Sequence, residues 1–355
     1  MNMLHQVLQR ALELNASDIF IIAGLPLSFK IDGAIQRENQ ILSSEDSASM
    51  VSALYAAANS RPENRLREKG DDDFSLSVPG LARFRVSAFK QRGTLSAVVR
   101  VVPFTLPDPK KINIPDAVLA LANRQKGLVL VTGAAGSGKS TTLTCMIDEI
   151  NKTRNCHIIT IEDPIEYLHR HKKSIVTQRE IATDTEDYLH ALRAALRQSI
   201  DVILIGEMRD YNTIATAMTA AETGHLVFST LHTVGAANTI DRVIDVFPAE
   251  QQRQIRTQLA MVLEAVISQQ LIPALDGTVV PVFEIMTASN AVRHMIREGK
   301  IHQIDSVIHS SPAEGMISMD TSIFALYEAN RISKETALSF ATNVDLMEKR
   351  INMAR

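Results

Sequence analysis

The chain has 355 residues, of which 45% are hydrophobic and 22% are charged, and its formal net charge is −3. This length predicts two or three domains, and the charge balance gives no reason to expect a polyanionic partner. Tryptophan is absent and aromatic residues make up only 5% of the chain, which disfavours a protein that stacks nucleic-acid bases on aromatic side chains. The two cysteines, Cys145 and Cys156, are too few for a disulfide framework or a four-cysteine metal site.

The amino-terminal residues, M-N-M-L-H-Q-V-L-Q-R, lack the apolar region of a signal peptide. No run in the chain approaches the roughly 18 apolar residues that a membrane span needs. We therefore expect a cytoplasmic protein without a membrane span of its own.

Residues 1–102 predict a small α/β domain. Apolar residues at helical spacing predict a first helix around Leu4–Leu12, and a second helix is predicted from Ser44, its candidate cap, to Ala58. In 82–89, polar and apolar residues alternate, which predicts an antiparallel sheet with one face in water. The predicted strands are 19–22, 27–31, 73–78, 82–89 and 95–102, with a hairpin turn at Asp32-Gly33.

Residues 103–115, P-F-T-L-P-D-P-K-K-I-N-I-P, contain four prolines. This composition predicts a semi-rigid, extended linker. The predicted organisation is therefore a first domain over 1–102, a linker over 103–115 and a second domain over 116–355.

In the second domain, predicted strands and helices alternate, which indicates a largely parallel sheet covered on both faces. A helix ending near Gln198 is predicted to begin at a capping box, Thr183-x-x-Glu186. The apolar spacing of 249–271 predicts one long helix, and an edge strand is predicted at 279–286, with short helices from Ser289 onward. The other predicted elements are strands at 128–132, 157–161, 202–205 and 226–229, and a helix at 212–223.

The segment Gly133–Ser140, G-A-A-G-S-G-K-S, matches the phosphate-loop pattern G-x-x-x-x-G-K-[ST] between a predicted strand and a predicted helix. Its small residues allow backbone N–H groups to surround phosphate oxygens; Lys139 can reach the β- and γ-phosphates, and Ser140 can place its hydroxyl on Mg²⁺. The alternative is a glycine-rich turn with an incidental Lys-Ser. We predict that a nucleoside triphosphate and Mg²⁺ bind at Gly133, Ala134, Ala135, Gly136, Ser137, Gly138, Lys139, Ser140 and Thr141.

A phosphate loop needs a second acidic site for Mg²⁺ and the attacking water. Asp201 precedes the strand at 202–205 and would lie at its wrong end, while Gly206 stands where a magnesium-binding aspartate is often found. Glu207 is therefore the predicted acid, either holding Mg²⁺ through a water or orienting the nucleophile. The alternative is a surface glutamate that ends a strand.

A second acidic group, Glu162, Asp163 and Glu166, follows the strand at 157–161. Carboxylates at the carboxyl ends of parallel strands face the crevice in which ligands bind. One of them could act as general base, or the group could be a solvated acidic turn.

His225 and His232 bracket the strand at 226–229. No nearby cysteine or carboxylate completes a zinc-type set, so a metal site is disfavoured. Two interpretations remain, namely a hydrogen-bonding role near the γ-phosphate and structural histidines at the ends of a strand.

Arg85 and Arg100 lie on predicted strands of the first domain. They are either solvated arginines or guanidinium groups supplied in trans, which stabilise transition-state charge in oligomeric NTPases.

After the phosphate loop, further motifs follow in a fixed order: I-T-I-E-D-P-I-E at 159–166, Q-R-E at 178–180, A-L-R-A-A-L-R at 191–197, I-G-E-M-R-D at 205–210 and T-A-A-E-T-G-H-L-V-F-S-T-L-H-T at 219–233. This set resembles the secretion-type ATPases, and within them the PilT family of type IV pilus retraction ATPases. The first domain also fits, with A-S-D at 16–18 and R-F-R-V-S-A-F at 83–89. The resemblance covers nearly the whole chain.

The resemblance implies a PAS-like α/β first domain and a RecA-like P-loop ATPase domain with a mostly parallel sheet and a helical carboxyl-terminal part. It implies a homohexameric ring, located at the cytoplasmic face of the inner membrane, in which ATP turnover moves the domains and drives the inner-membrane pilus platform protein. Other pilus ATPases are further candidate partners.

The resemblance also implies roles for individual residues. Lys139 and Ser140 match the Walker A lysine and magnesium ligand, and Glu207 matches the Walker B glutamate. Glu166 matches the glutamate that is thought to serve as general base. The remaining matches are His225 and His232 to the histidine box, and Arg85 and Arg100 to arginines that approach the nucleotide from the first domain.

The functional expectation is thus a hexameric ATP-hydrolysing motor for pilus retraction. The segment A-V-R-H-M-I-R-E-G-K at 291–300 resembles a family element associated with retraction, with His294 in place of an asparagine, and the four-cysteine insertion of extension motors is absent. The alternatives are a pilus-extension or type II secretion ATPase, an ATP-binding regulatory partner of another pilus motor, and a nucleic-acid translocase. The pair Glu166 and Glu207 disfavours a partner that does not hydrolyse ATP, and the lack of a basic stripe disfavours the translocase.

Overall fold

The structure, a computed structural model, describes residues 3–31, 33–58, 60–102 and 105–353. The chain divides into two compact units. The first comprises Met1–Thr105 together with Glu166–Leu168, and the second comprises Leu106–Ile165 together with His169–Arg355.

The first unit is an antiparallel sheet with helices packed on one face, as predicted. Its strands are hydrogen-bonded in the order β3-β2-β1-β6-β5-β4. Along β5, Phe84, Val86 and Ala88 are buried in the core, while Ser87 on the opposite face is exposed. The elements are α1 (Met3–Glu13), β1 (Asp18–Ile21), β2 (Pro26–Ile31), β3 (Ala34–Ile41), α2 (Ser44–Ala57), α3 (Asn64–Lys69), β4 (Asp71–Val78), β5 (Ala82–Gln91) and β6 (Thr94–Val102).

The second unit is built on a sheet in the order β13-β12-β7-β11-β10-β8-β9. All neighbouring strands pair in parallel except β12 and β13. The strand β13 lies at the edge of the sheet, as predicted, and is antiparallel to β12. The strands are β7 (Gly127–Thr132), β8 (His157–Glu162), β9 (Ile175–Glu180), β10 (Val202–Ile205), β11 (Leu226–Leu231), β12 (Leu263–Pro273) and β13 (Val279–Thr287).

Helices cover both faces of this sheet, and each face has its own hydrophobic core. One core includes Leu143 and Met146 of α5, and the other includes Ile214 of α7 and Leu259 of α9. The helices are α4 (Asp116–Ala120), α5 (Lys139–Thr153), α6 (Tyr188–Ala195), α7 (Tyr211–Glu222), α8 (Ala236–Asp245), α9 (Ala249–Val262), α10 (Asn290–Glu298), α11 (Ile304–Ser310), α12 (Met319–Glu328), α13 (Lys334–Phe340) and α14 (Val344–Met353).

The single long helix predicted at 249–271 is wrong. The helix α9 ends at Val262, and the strand β12 begins at Leu263 and runs between β7 and β13. A strand buried on both faces has a nearly continuous apolar sequence, which periodicity alone cannot distinguish from a buried helix. The change matters because β12 brings Ser268 and Gln269 to the end of β7, where Ser268 pairs with Thr132.

Two predicted helix caps are also wrong by a few residues. The cap of α2 is Ser43 rather than Ser44, since the Ser43 hydroxyl accepts a hydrogen bond from the Asp46 N–H and the Asp46 carboxylate accepts one from the Ser43 N–H. The cap of α6 is Asp187 rather than Thr183, because the Asp187 carboxylate accepts from the His190 N–H at 2.6 Å. The helices α3, α4 and α8 and the strand β9 were not predicted, and the second strand of the predicted hairpin, β3, was not given bounds. The predicted turn at Asp32 lies outside the described residues.

In the segment predicted as a linker, 103–115, the residue Ile114 is 7% exposed and packs in a core of the second unit with Val118. Residues 103 and 104 lie outside the described part of the chain, and the predicted domain limits stay a prediction. No helix among the residues that the structure describes is long and apolar enough to cross a membrane.

Candidate active site

The phosphate-loop segment connects β7, whose residues are all buried, to the first turn of α5. Lys139 is only 8% exposed, and its Nζ donates to the carbonyl oxygens of Gly133 and Ala134 at 2.9 Å each. The ammonium group therefore lies inside the curve of the loop, where it can meet phosphate oxygens.

The hydroxyl of Ser137 gives a further indication that the loop is built for a ligand. Ser137 is 5% exposed, and within the described structure its Oγ has no hydrogen-bond partner. A buried polar atom without a partner is uncommon in native proteins. Phosphate oxygens would supply the missing partner, so the loop fits a nucleotide.

The predicted acid and one of the predicted histidines meet at the same edge of the sheet. Glu207 follows β10 and His232 follows β11, and the two strands are parallel neighbours. The carboxylate of Glu207 contacts Arg209 Nε at 2.7 Å and His232 Nε2 at 3.5 Å. Together with the adjacent Thr230 and Arg242 they line a cavity of about 340 Å³.

Hydroxyl groups of β11 fix the end of β10 that carries Glu207. Ser229 Oγ donates to the Ile205 carbonyl at 2.8 Å, and Thr230 Oγ1 donates to the Gly206 carbonyl at 2.6 Å. The backbone before Glu207 is thus tied to the backbone before His232, which positions the two side chains relative to each other.

Close packing explains why a glycine stands at 206. A Cβ atom there would lie 3.0 Å from the Tyr188 hydroxyl and 3.3 Å from the Ile161 carbonyl oxygen, so an aspartate would require these neighbours to shift by a few tenths of an ångström. Burial, followed by the nearby charges of Glu207 and Asp163, raises the pKa of Tyr188. The Tyr188 hydroxyl therefore stays protonated beside the acidic strand ends.

The donors at this edge suit Mg²⁺. The described residues contain no group of three or more His, Cys, Asp or Glu side chains that could hold a metal. Mg²⁺ does not need one, because it keeps several waters and binds proteins through one or two oxygen ligands together with substrate phosphates. Ser140, in the first turn of α5, and Glu207 provide oxygen atoms of this kind.

The prediction for His225 needs correction, because the structure places it at the opposite end of β11. Leu226 pairs with Gly127 at the start of β7, whereas Leu231 pairs with Thr132 at its end. Six residues of strand separate the two ends, so His225 lies roughly 20 Å from the phosphate loop of the same chain. Its Nδ1 lies 3.0 Å from the Ala220 carbonyl oxygen, which indicates a structural contact after α7.

Asp201 lies at the amino end of β10, as expected. Its carboxylate accepts a hydrogen bond from the His157 N–H at 2.8 Å and so fixes the start of the neighbouring strand β8. Asp201 is therefore structural.

Three further predicted residues belong to the first unit. Arg85 and Arg100 are directly opposite each other on β5 and β6, and Arg100 Nε donates to Asp18 Oδ1 at 2.9 Å. Glu166 is exposed and falls in the short segment that groups with the first unit. The roles of these three residues stay predictions.

Two residues that contact the elements of the site were not predicted from the sequence. Gln269 Oε1 accepts a hydrogen bond from Thr142 Oγ1 at 2.7 Å, and Ser268 Oγ accepts one from the Gly235 N–H at 2.9 Å. Both lie on β12, in the segment that was predicted as helix. The only signal in the sequence was the polar run Ser268-Gln269-Gln270, which interrupts an apolar segment.

Fold and site define a P-loop protein with its nucleotide loop at the carboxyl edge of a parallel sheet. The family described as "Type II/IV secretion system protein" matches residues 1–348, and the chain belongs to this family.

Individual relatives narrow the class. The chain is 45% identical over 322 residues to the "Type IV pilus retractation ATPase PilT" of Pseudomonas aeruginosa. This match covers 91% of this chain and 93% of the relative. It is 45% identical over 320 residues to a "Twitching motility protein" of Neisseria gonorrhoeae, covering 90% of this chain and 85% of the relative. The solved structure described as "Crystal Structure of the Pilus Retraction Motor PilT and Bound ADP" superimposes with a TM-score of 0.90 at 43% identity, covering 98% of this chain and 99% of that one.

Proposed function

We propose that the chain is an ATP-hydrolysing motor that powers retraction of type IV pili. The observation that carries the proposal is the buried Lys139 turned into the phosphate loop, on a chain that is similar over 91% of its length to a retraction ATPase. A relative solved with ADP supports a nucleotide as the ligand of this loop.

In the proposed reaction, the loop holds the β- and γ-phosphates through its N–H groups and Lys139. Mg²⁺, when bound beside Ser140, neutralises charge that develops on the phosphate oxygens. Glu207, held by His232 and Arg209, orients the attacking water. Glu166 takes up the proton of that water as general base.

The active form in this proposal is a homohexamer at the inner face of the cytoplasmic membrane. Arg85 and Arg100 of one copy complete the nucleotide site of its neighbour, and domain movement during turnover drives the inner-membrane platform protein of the pilus. The domain limits 1–102, 103–115 and 116–355 belong to the same proposal, with 103–115 as the connection.

Deletion of the gene in its host tests the assignment, with complementation by wild-type protein or by Lys139→Ala. We expect surface pili to accumulate and retraction to stop, and only the wild-type gene to restore retraction. Loss of surface pili would contradict the proposal and indicate an extension motor. Normal phosphate release by purified Lys139→Ala protein would contradict the assignment of the loop itself.

A further inference from the structure

We propose that Gln269 is a positioning residue of the phosphate loop, and that it acts through Thr142. The proposal rests on the nucleotide site proposed above. Gln269 lies on β12, one residue after Ser268, which pairs with the last residue of β7. It therefore lies beside the point where β7 ends and the loop begins.

Gln269 contacts the start of the loop through its backbone. A Cβ atom at Gly133 would lie 2.2 Å from the Gln269 carbonyl oxygen, closer than any side chain allows. Gly133 also has a φ of 140°, a conformation that glycine adopts readily. The first glycine of the loop is thus required by the approach of β12 as well as by the turn.

The side chain of Gln269 contacts the other end of the loop. A Cβ atom at Gly138 would lie 2.8 Å from Gln269 Nε2. Gln269 Oε1 accepts the hydrogen bond from the hydroxyl of Thr142, which lies about one helical turn after Lys139. One residue of β12 thus meets both ends of the loop and the first turn of α5.

Because this contact is buried, it fixes the position of α5 and of the phosphate loop relative to β12. Gln269 is 3% exposed and Thr142 is 1% exposed, so water cannot replace the hydrogen bond between them. If either partner is removed, a buried polar group of the other stays unsatisfied. The loop and helix would then shift to relieve it, and Lys139 and the phosphate-binding N–H groups would move with them.

The test measures ADP affinity of the full chain by calorimetry for three variants, Gln269→Leu, Thr142→Val and both together. We expect each single variant to bind ADP about tenfold more weakly, which is the effect of one unsatisfied buried partner. The double variant should lose no more than the stronger single variant, because both changes remove the same contact. Steady-state hydrolysis should show a raised KM together with a lowered kcat.

Gln270→Leu is the matched control, since the same change is made on the same strand but on its other face. It should bind ADP as the wild type does. Folded Gln269→Leu and Thr142→Val proteins with wild-type ADP affinity would overturn the proposal, and so would losses that add in the double variant. Thr142→Val exchanges the hydroxyl for a methyl group of similar size, so it tests the proposal if Gln269→Leu does not fold.

A Lys139→Ala protein separates this inference from the assignment of the site. If Lys139→Ala retains wild-type ADP affinity, the nucleotide site itself is misplaced. If Lys139→Ala loses ADP while the Gln269 and Thr142 variants keep it, only the role of Gln269 is refuted.

Discussion

The carboxylate of Glu207 contacts both Arg209 and His232, and these two contacts fix its orientation. The side chain of Glu207 is 17% exposed, while that of His232 is 52% exposed. The histidine therefore reaches from solvent onto a largely buried acid. It can hold the orientation of the carboxylate and respond to a phosphate that enters the site.

Replacement of His232 by alanine should lower kcat about tenfold, because Glu207 loses one of the two groups that fix the orientation of its carboxylate and solvent weakens this half-exposed contact. His225→Ala is the matched control on the same strand. It should lower the melting temperature rather than kcat, since His225 contacts the end of α7. Phosphate release and thermal unfolding measure the two effects. A larger loss of kcat in His225→Ala than in His232→Ala would contradict the geometry described above.

At the scale of elements, α5 does more than carry the phosphate loop, because its far half fixes residues 169–174 before β9. Asn151 Oδ1 accepts from the Lys172 N–H at 3.1 Å, and Asn151 Nδ2 donates to the Arg170 carbonyl at 2.7 Å. Asp148 forms an ion pair with Lys172. His169 is largely buried in this connection, and within the described structure its Nδ1 has no hydrogen-bond partner.

This burial makes stability depend on pH. Burial lowers the pKa of His169 to about 4, against an ordinary value of 6.5. Between these values the unfolded chain binds the proton and the folded chain does not, so stability is fully present above about pH 6.5 and is lost as the pH falls toward 4. The contribution is at most about 3 kcal/mol.

We expect His169→Gln to flatten the pH dependence of the free energy of unfolding over that range. Urea unfolding at pH 7.5, 6 and 5 measures it. His190→Gln, which changes an exposed histidine, should keep the wild-type pH dependence. If His169→Gln loses stability with acid as steeply as the wild type, burial of His169 is not the cause.

For the whole molecule, the open point is whether Arg85 and Arg100 of the first unit act on the nucleotide site of a neighbouring copy. Arg85 and Arg100 form a cross-strand pair of like charge, and Asp18, which is 8% exposed at its side chain, is the ion-pair partner of Arg100. Two guanidinium groups side by side on a sheet repel each other. The phosphate of a nucleotide bound to a neighbouring copy would relieve that repulsion. This supports a nucleotide site that is completed by the arginines of the adjacent copy.

Arg100→Ala should reduce kcat by about three orders of magnitude while leaving ADP affinity nearly unchanged, as expected for an arginine that acts on the transition state. Lys139→Ala should also abolish turnover. When the two variants are coexpressed and assembled together, up to about a quarter of the sites would combine an intact Lys139 with an intact neighbouring Arg100. Turnover should then return in the mixed preparation.

Arg37→Ala is the control, because it removes an exposed positive charge from another strand of the same unit. It should hydrolyse ATP at the wild-type rate. If the mixed preparation stays inactive, Arg100 does not act on a neighbour, and the site is complete within one chain.

The phosphate loop, the two α/β units and the strand–helix alternation that makes the second sheet largely parallel could all be predicted from the sequence. Those features depend on contiguous residues, namely the loop motif, period-two strands and strand–helix alternation. The position of Glu207 just after a strand was also predicted from the sequence, because it follows an apolar run.

Which residues share the site depends on the folded chain and could not be predicted from the sequence. Whether His225 or His232 lies near the loop depends on the direction of β11 in the sheet, since the two histidines bracket the same strand. Gln269 is separated from Thr142 by 127 positions, and its apolar neighbours fit a helix as well as a strand. Pairing of β12 with β7 settles both its conformation and its contact with the loop, because strand pairing is made between segments distant in sequence and periodicity carries no information about it.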